Sequence, residues 1–126
     1  MSIKYRVIQR FNPAKPNDPR KHYASLVTRG DLTLRDVAKE LALISTVSIA
    51  DVTATVEALL EIIPCHLVQG EIVRLGEFGT FSVTLSSDGA PTAEDFGSSL
   101  IKGLRLNFRP GKELKQMLAA ARFEKE

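Results

Sequence analysis

The chain has 126 residues, of which 44% are hydrophobic and 25% are charged, a balance typical of a soluble globular protein. No stretch approaches the roughly 18 consecutive apolar residues that a membrane-spanning helix needs, and the single cysteine excludes an internal disulfide. The formal net charge of +2 excludes the strongly cationic composition of many nucleic-acid-binding domains. We therefore expect a cytoplasmic protein with no membrane segment and no secretory leader.

The first thirty residues predict two strands joined by a loop. Residues 3–11 alternate between apolar and basic side chains, which is the period of a half-buried strand. Three prolines in residues 12–19 predict a loop, and residues 22–28 predict the second strand. Charge is segregated along the chain, because residues 1–30 hold seven bases and one acid, whereas residues 31–77 hold eight acids and three bases.

Two amphipathic helices follow, each with a capping signal. Thr33 stands three residues before Asp36 and opens a run of apolar residues at helical spacing, which predicts a capped helix of about three turns. Ser48 and Asp51 repeat this arrangement before a longer helix, whose broad apolar stripe predicts burial by more than one neighbour. Pro64 is expected to bend or interrupt the second helix near its end, because its ring displaces a backbone carbonyl.

The second half of the chain predicts a three-stranded sheet and a last helix. Residues 71–75 and 80–85 predict two short strands that meet at a corner over residues 76–79. A small, polar and acidic stretch then separates them from a returning strand over residues 104–109. The dipeptide Pro110-Gly111 leads into a helix with apolar residues on one face, so the whole chain is predicted to be α+β.

Two short motifs bracket twenty-six residues of this sheet, Gly-Glu-Phe-Gly-Thr-Phe at 76–81 and Phe-Arg-Pro-Gly-Lys at 108–112. They contain Phe78, Phe81 and Phe108, half of the six phenylalanines in a chain without tryptophan, and we expect these rings to be buried together. A stacking platform for single-stranded nucleic acid is the alternative, since such platforms interleave aromatic rings with arginine. Three short helices do not obviously cover these rings, so a second copy of the chain is the expected cover.

From about Thr33 to Phe123 the chain resembles the bacterial histone-like family of HU and integration host factor. Two helices, the glycine-rich corner, a hairpin of similar length and the Phe-Arg-Pro-Gly-Lys entry to the last helix occur in that family's order. The first thirty residues resemble the N-terminal extension of the Bacteroidetes-type HU-like variant. The resemblance implies two N-terminal helices, a three-stranded antiparallel sheet with an extended β-arm, a short C-terminal helix and an added N-terminal β-hairpin.

The resemblance also implies a division of the chain and a function. Residues 1–30 would be the strand extension and residues 31–126 the HU-like domain, with an arm at about 84–104, in a single compact unit. A non-enzymatic, nucleoid-associated homodimer would reach around double-stranded DNA, enter the minor groove and bend the DNA with weak sequence preference. We expect that the protein binds no cofactor, no metal, no membrane and no small-molecule substrate.

The candidate site residues come partly from the resemblance and partly from the positions of the other bases in the chain. Phe78, Phe81 and Phe108 would form the aromatic core of the dimer. The bases expected to contact DNA are Arg74, Lys102, Arg105, Arg109, Lys112 and Lys115. For the two that flank the family's Pro-Gly, Arg109 and Lys112, the alternative role is that of ordinary surface charges beside a helix.

The arm departs from the family's pattern. Family members carry an Arg-Asn-Pro motif at the arm tip, where this chain has Ser-Ser-Asp-Gly-Ala-Pro-Thr-Ala-Glu-Asp. Between Ser82 and Asn107 there are two bases and three acids, so each arm has a net charge of −1. Pro91 is the candidate wedge between base pairs, with an ordinary turn as the alternative. We therefore predict that DNA contacts the body of the domain and that the salt dependence of binding is shallow.

Three further readings of the sequence stay open. Lys15, Arg20 and Lys21 form either a phosphate-binding loop or a solvated one. Cys65-His66 has only one other histidine and no second cysteine to complete a metal site or a catalytic triad, so we expect no enzyme. The rival function is a dimeric structural or protein-interaction module of the same fold, and RNA is a third possibility, because a cationic face would meet either backbone.

Overall fold

The computed structural model describes residues 2–126, and within this range the chain forms three α-helices, one short 3-10 helix and six strands. The strands are β1 (Ser2–Arg10), β2 (Lys21–Leu26), β3 (Val73–Leu75), β4 (Gly79–Ser87), β5 (Ile101–Pro110) and β6 (Arg122–Lys125). The helices are α1 (Leu34–Ile44), α2 (Ile49–Leu67) and α3 (Lys112–Ala119), with the 3-10 turn at Ser98–Leu100. The α+β class and the predicted order are confirmed, and β6 is an additional strand.

Contacts between Cα atoms divide the chain into two compact units. One contains Thr33–Gln116, and the other joins the residues up to Leu32 to Met117–Glu126. We expected a single compact unit with its extension ending at residue 30, and the observed grouping differs because the C-terminal residues join the N-terminal strands. The division of the chain into an extension of residues 1–30 and a domain of residues 31–126 stays a prediction.

The N-terminal unit is built on a three-stranded sheet of order β2-β1-β6. The predicted hairpin is confirmed, since β1 and β2 pair antiparallel from Tyr5 opposite Leu26 to Arg10 opposite Lys21. The strand β6 then pairs parallel to β1, with Ile3 opposite Phe123. Its four residues carry too short a pattern to predict a strand, and their partner lies about 120 residues away in the chain, so only long-range pairing defines β6.

Both helix starts follow the predicted capping chemistry. The Asp36 N–H donates to the Thr33 hydroxyl over 3.2 Å, and the Thr33 N–H donates to the Asp36 carboxylate over 3.1 Å, which completes the capping box of α1. At α2 the Asp51 N–H donates to the Ser48 hydroxyl over 3.2 Å. These bonds satisfy backbone donors that a helix leaves without an intrahelical partner.

We predict that Thr33→Ala destabilises the chain by about 1 kcal/mol, the usual cost of losing an N-cap side chain. Urea unfolding followed by circular dichroism measures this change. Equal stability of the variant and the wild type would show that α1 does not depend on its cap.

The same cap has a predicted pH dependence. The pKa of Asp36 lies below its ordinary value of 3.8, chiefly because the Thr33 N–H donates to the carboxylate and then because the Thr33 hydroxyl does. A lowered pKa in the folded chain means that the ionised carboxylate adds stability above pH 3.8, and that this stability is lost as the pH falls through the folded value. Asp36→Asn should therefore be less stable than wild type at neutral pH and should approach it in acid.

Pro64 was expected to bend or interrupt α2, and an interruption does not occur, because the helix continues through Pro64 to Leu67. Pro64 lies in the last turn, so the helix loses only the one bond that its missing N–H would have made to the Leu60 carbonyl. The next turn is still closed, since the Val68 N–H donates to the Pro64 carbonyl over 3.0 Å.

The second unit contains an antiparallel sheet of order β3-β4-β5, as predicted. Its first strand begins two residues later than expected, because the Glu71 N–H donates back to the His66 carbonyl at the end of α2 over 3.1 Å. The other two strands are longer than the alternating patterns predicted, because β4 and β5 keep pairing into the polar stretch between them. The register shifts between Ser86 and Ser87, near the end of this hairpin.

The two sequence motifs meet at the base of the hairpin. Gly76 has a φ of +55°, the left-handed conformation that lets the chain turn between β3 and β4. The Gly111 N–H donates to the Phe78 carbonyl over 2.8 Å. A Cβ at Gly111 would lie 2.1 Å from the Glu77 carbonyl oxygen, so a glycine is required for this backbone approach. The motifs therefore fix the position at which α3 leaves the sheet.

Little of the apolar surface is buried within one chain. Among residues 2–126 the buried hydrophobic side chains are Ala38, Val52 and Leu67, all on α1 and α2. Large apolar residues of α2 such as Leu59 and Leu60 are exposed, so the predicted burial of the helix stripe by several neighbours does not occur within the chain. None of the helices in the described range combines the length and the apolar character that crossing a bilayer requires.

Candidate nucleic-acid interface

The sheet of the second unit has one polar face that carries arginine at both ends. Register places Arg74 of β3 opposite Thr80 of β4, and Thr80 opposite Arg109 of β5. Residues directly opposite each other in a sheet project to the same side, so these three side chains form one row across the sheet. Arg74 and Arg109 are both exposed and flank a hydroxyl that is half-buried.

Two further rows extend this polar face along the hairpin. Ser82 lies opposite Asn107, and Thr84 lies opposite Arg105. The Asn107 side-chain amide donates to the Thr84 hydroxyl over 3.3 Å, which ties the two rows together. Arg105 and Arg109 are four residues apart on β5, so they are separated by about 13 Å.

A cavity of about 420 Å³ opens on this face. Its lining residues are Ile72, Arg74, Thr80, Ser82, Asn107, Phe108 and Arg109. Two guanidinium groups, two hydroxyls and an amide can all donate hydrogen bonds, and such groups are the ones that bind phosphate oxygens in protein–DNA complexes. We name the surface formed by Arg74, Thr80, Ser82, Asn107 and Arg109 the arginine row.

The other predicted bases occupy different surroundings. Lys112 is the first residue of α3 and Lys115 lies in its first turn, and both are exposed. Lys102 lies in the arm, where its Nζ is 3.0 Å from a carboxylate oxygen of Asp88. The structure thus brings Arg74 and Arg109 into one row and places Arg105 on the same face, whereas Lys102 already has an acidic partner.

The end of the arm is a loop over residues 88–100 that contains the 3-10 turn. Strands β4 and β5 stop at Ser87 and Ile101, and the Asp88 N–H donates to the Leu100 carbonyl over 2.9 Å. Pro91 lies exposed in this loop and lines a cavity of about 460 Å³ with Ala90, Thr92, Ala93 and Phe96. The predicted wedge residue is therefore at the tip, next to an exposed phenylalanine that the sequence pattern did not single out.

The three phenylalanines of the motifs form one cluster. Ring centroids lie 4.8 Å apart for Phe81 and Phe108 and 5.6 Å apart for Phe78 and Phe108, with tilted rings. Phe78 is 53% exposed and Phe108 is 40% exposed, so a single chain does not bury the cluster. The rings meet as expected, but the described residues do not bury them.

The Cys65-His66 pair has the surroundings of a solvent-exposed helix end. Cys65 is a free, exposed thiol on α2. The His66 Nδ1 lies 3.1 Å from a carboxylate oxygen of Glu71, and both side chains are about half exposed. This contact joins the end of α2 to the segment before β3.

Sequence reasoning identified the arginines of this face but not the residues between them. Thr80, Ser82 and Asn107 alternate with apolar residues, and alternation alone indicates only that they face away from the core. Whether these residues lie on one surface depends on the register between the strands, and register cannot be read from the sequence. The signal that could have identified Thr80, Ser82 and Asn107 is that they occupy the polar positions of the alternating pattern.

A family model described as an HU domain fused to wHTH, Ig, or glycine-rich motif matches residues 1–125. No curated protein sequence matches the chain significantly.

The fold is similar to a crystal structure of a candidate bacterial DNA-binding protein from Bacteroides vulgatus ATCC 8482, with a TM-score of 0.69 and 13% sequence identity. That similarity covers 98% of this chain and 47% of the Bacteroides chain, so this chain spans about half the length of that protein. At this identity the likeness concerns the fold.

Proposed function

Because this chain belongs to the family of HU domains fused to wHTH, Ig, or glycine-rich motifs, we propose that it is a non-enzymatic, nucleoid-associated protein that binds double-stranded DNA as a homodimer. The observation that carries the proposal is the arginine row, in which Arg74 and Arg109 flank Thr80 on one exposed sheet face. Bases arranged with hydroxyl and amide donors contact phosphate oxygens without reading sequence, which accounts for a weak sequence preference.

The opposite face of the same sheet supports the homodimer. Alternation puts Phe81, Leu106 and Phe108 on the side away from the arginine row, and the last two are exposed in one chain. A contiguous apolar surface on a soluble protein marks an interaction site. A second copy related by two-fold symmetry would present the same face and cover it.

A protein-interaction module of the same fold is the second candidate function, and the arm favours it. The arm has a net charge of −1, and its Lys102 is paired with Asp88. Its tip presents Pro91 and Phe96, an apolar surface bordered by acids. This chemistry suits a protein partner better than it suits the phosphate backbone.

Fluorescence titration of labelled duplex DNA at several salt concentrations between about 50 and 200 mM tests the proposal. We expect binding with a shallow slope of log K against log salt, clearly smaller in magnitude than the slope of about −7 that eight phosphate contacts give. Linear, nicked and four-way-junction DNA should be compared in the same series. Absence of binding to all three at low salt would overturn DNA binding and favour the interaction module.

A further inference from the structure

The sheet of the N-terminal unit carries most of its bases on one face. Alternation along β1 places Lys4, Arg6 and Arg10 on the same side. The register adds Lys21, which lies opposite Arg10, and Arg122, which lies opposite Ser2 on that side. We name these five residues the basic face.

Side-chain contacts agree with this assignment of faces. The Arg6 guanidinium lies 3.3 Å from a carboxylate oxygen of Glu126. The Arg10 guanidinium lies over the ring of Tyr23, 5.9 Å from its centroid, and Tyr23 is opposite Ile8 on the same side. The Arg20 guanidinium lies over the ring of Phe11, 5.6 Å from its centroid, and both residues belong to the segment between β1 and β2, so Arg20 is not part of the basic face.

The charge on the basic face is not balanced within the sheet. Among the described residues of this sheet and its C-terminal end, Glu124 and Glu126 lie on this side, so five bases meet two acids and the net charge is +3. Glu124 lies opposite Lys4, and Glu126 pairs with Arg6. Both acids are therefore at one end of the sheet, and the other end is left with Arg10 and Lys21.

The Arg10 and Lys21 pair is the most informative part of this surface. The two bases are directly opposite each other on neighbouring strands, an arrangement that destabilises a sheet through like-charge repulsion. The cation–π contact with Tyr23 orients the Arg10 guanidinium but does not neutralise it. An anionic ligand across the pair would relieve the repulsion.

We propose that the basic face is a second phosphate-binding surface for double-stranded DNA, an inference that depends on the proposed function above. From Lys4 to Arg10 the strand extends about 20 Å. Duplex DNA carries one negative charge per roughly 1.7 Å of axis, so a surface of this length meets several phosphates. The exposed Tyr23 adds a hydroxyl of the kind that contacts phosphate oxygens.

The test compares two triple variants with the same charge change. The face variant is Lys4→Gln, Arg10→Gln, Lys21→Gln. The control variant is Arg35→Gln, Lys39→Gln, Lys125→Gln, whose bases are exposed on α1 or lie on the other side of the N-terminal sheet. Circular dichroism establishes that both variants fold, and fluorescence titration with duplex DNA at several salt concentrations gives their affinities and salt slopes.

For the face variant we expect a salt slope smaller in magnitude by about 0.9 for each lost contact, and an affinity lower by about eight-fold per contact near 0.1 M salt. The control variant should keep the wild-type slope. If wild type binds and the two triple variants have the same slope, the basic face is not a DNA surface, although the proposed function stands. If wild type binds no DNA at low salt, both proposals fail. A face variant that loses affinity for duplex RNA and not for DNA would also overturn the inference.

Discussion

Replacing Arg74 and Arg109 together by glutamine is expected to weaken binding of duplex DNA by about 50-fold or more near 0.1 M salt. The estimate follows from counterion release, since each phosphate contact contributes about 0.9 to the slope of log K against log salt, or roughly eight-fold in affinity at 0.1 M. In a dimer each substitution occurs twice, so the loss should exceed that of two contacts. Fluorescence titration with the same duplex measures it.

The second unit offers a matched control for this variant. Arg35 and Lys39 are exposed bases on α1, so Arg35→Gln with Lys39→Gln changes the net charge by the same amount away from the arginine row. The control should bind within a few-fold of wild type and keep its salt slope. Equal losses in the two double variants would mean that net charge, and not the arginine row, governs affinity.

Replacing Phe108 by alanine is expected to convert the proposed homodimer into a monomer at micromolar concentration. Phe108 contacts both other rings of the cluster and is 40% exposed in one chain, so it is placed to contribute to a core shared by two copies. Truncating a phenylalanine in a core costs about 3 to 5 kcal/mol, and every 1.4 kcal/mol is about ten-fold in a dissociation constant. Sedimentation equilibrium measures the change.

Phe96 provides the control for that variant. It is 42% exposed, close to the value for Phe108, but it lies in the turn of the arm and not in the aromatic cluster. Phe96→Ala should therefore leave the dimer intact. A wild-type protein that sediments as a monomer would contradict the homodimer, and dissociation by both variants would show that the cluster has no special role.

The body of the second unit and its arm have different electrostatic properties. The arginine row concentrates positive charge on one sheet face, where strand pairing fixes the backbone positions of Arg74 and Arg109. The arm has a net charge of −1 and pairs Lys102 with Asp88, so it offers little to a polyanion. We therefore expect the two substitutions in the arginine row to have a larger effect on DNA affinity than any substitution of Lys102.

The sequence by itself determined the local features of this protein, which are its helix caps, its alternating strands and its glycine corner. The N-cap bonds of α1 and α2 join residues three apart in the chain, and the structure contains the bonds that this spacing predicts, with the reciprocal bond of a capping box at α1. Alternation likewise predicted β1, β4 and β5, because side-chain period reports which side of a strand is buried. The sequence also predicted the corner at Gly76, because glycine is favoured where the backbone has a positive φ.

Only the tertiary structure decided which residues share a surface. Arg74 and Arg109 are thirty-five positions apart in the chain, and the pairing of both strands with β4 puts them in one row. In the same way β6 became a strand by pairing with β1, and Lys21 joined the basic face by lying opposite Arg10. Register between distant strands is set by the packing of whole faces, and a local pattern specifies the face of a residue but not its neighbour across the sheet.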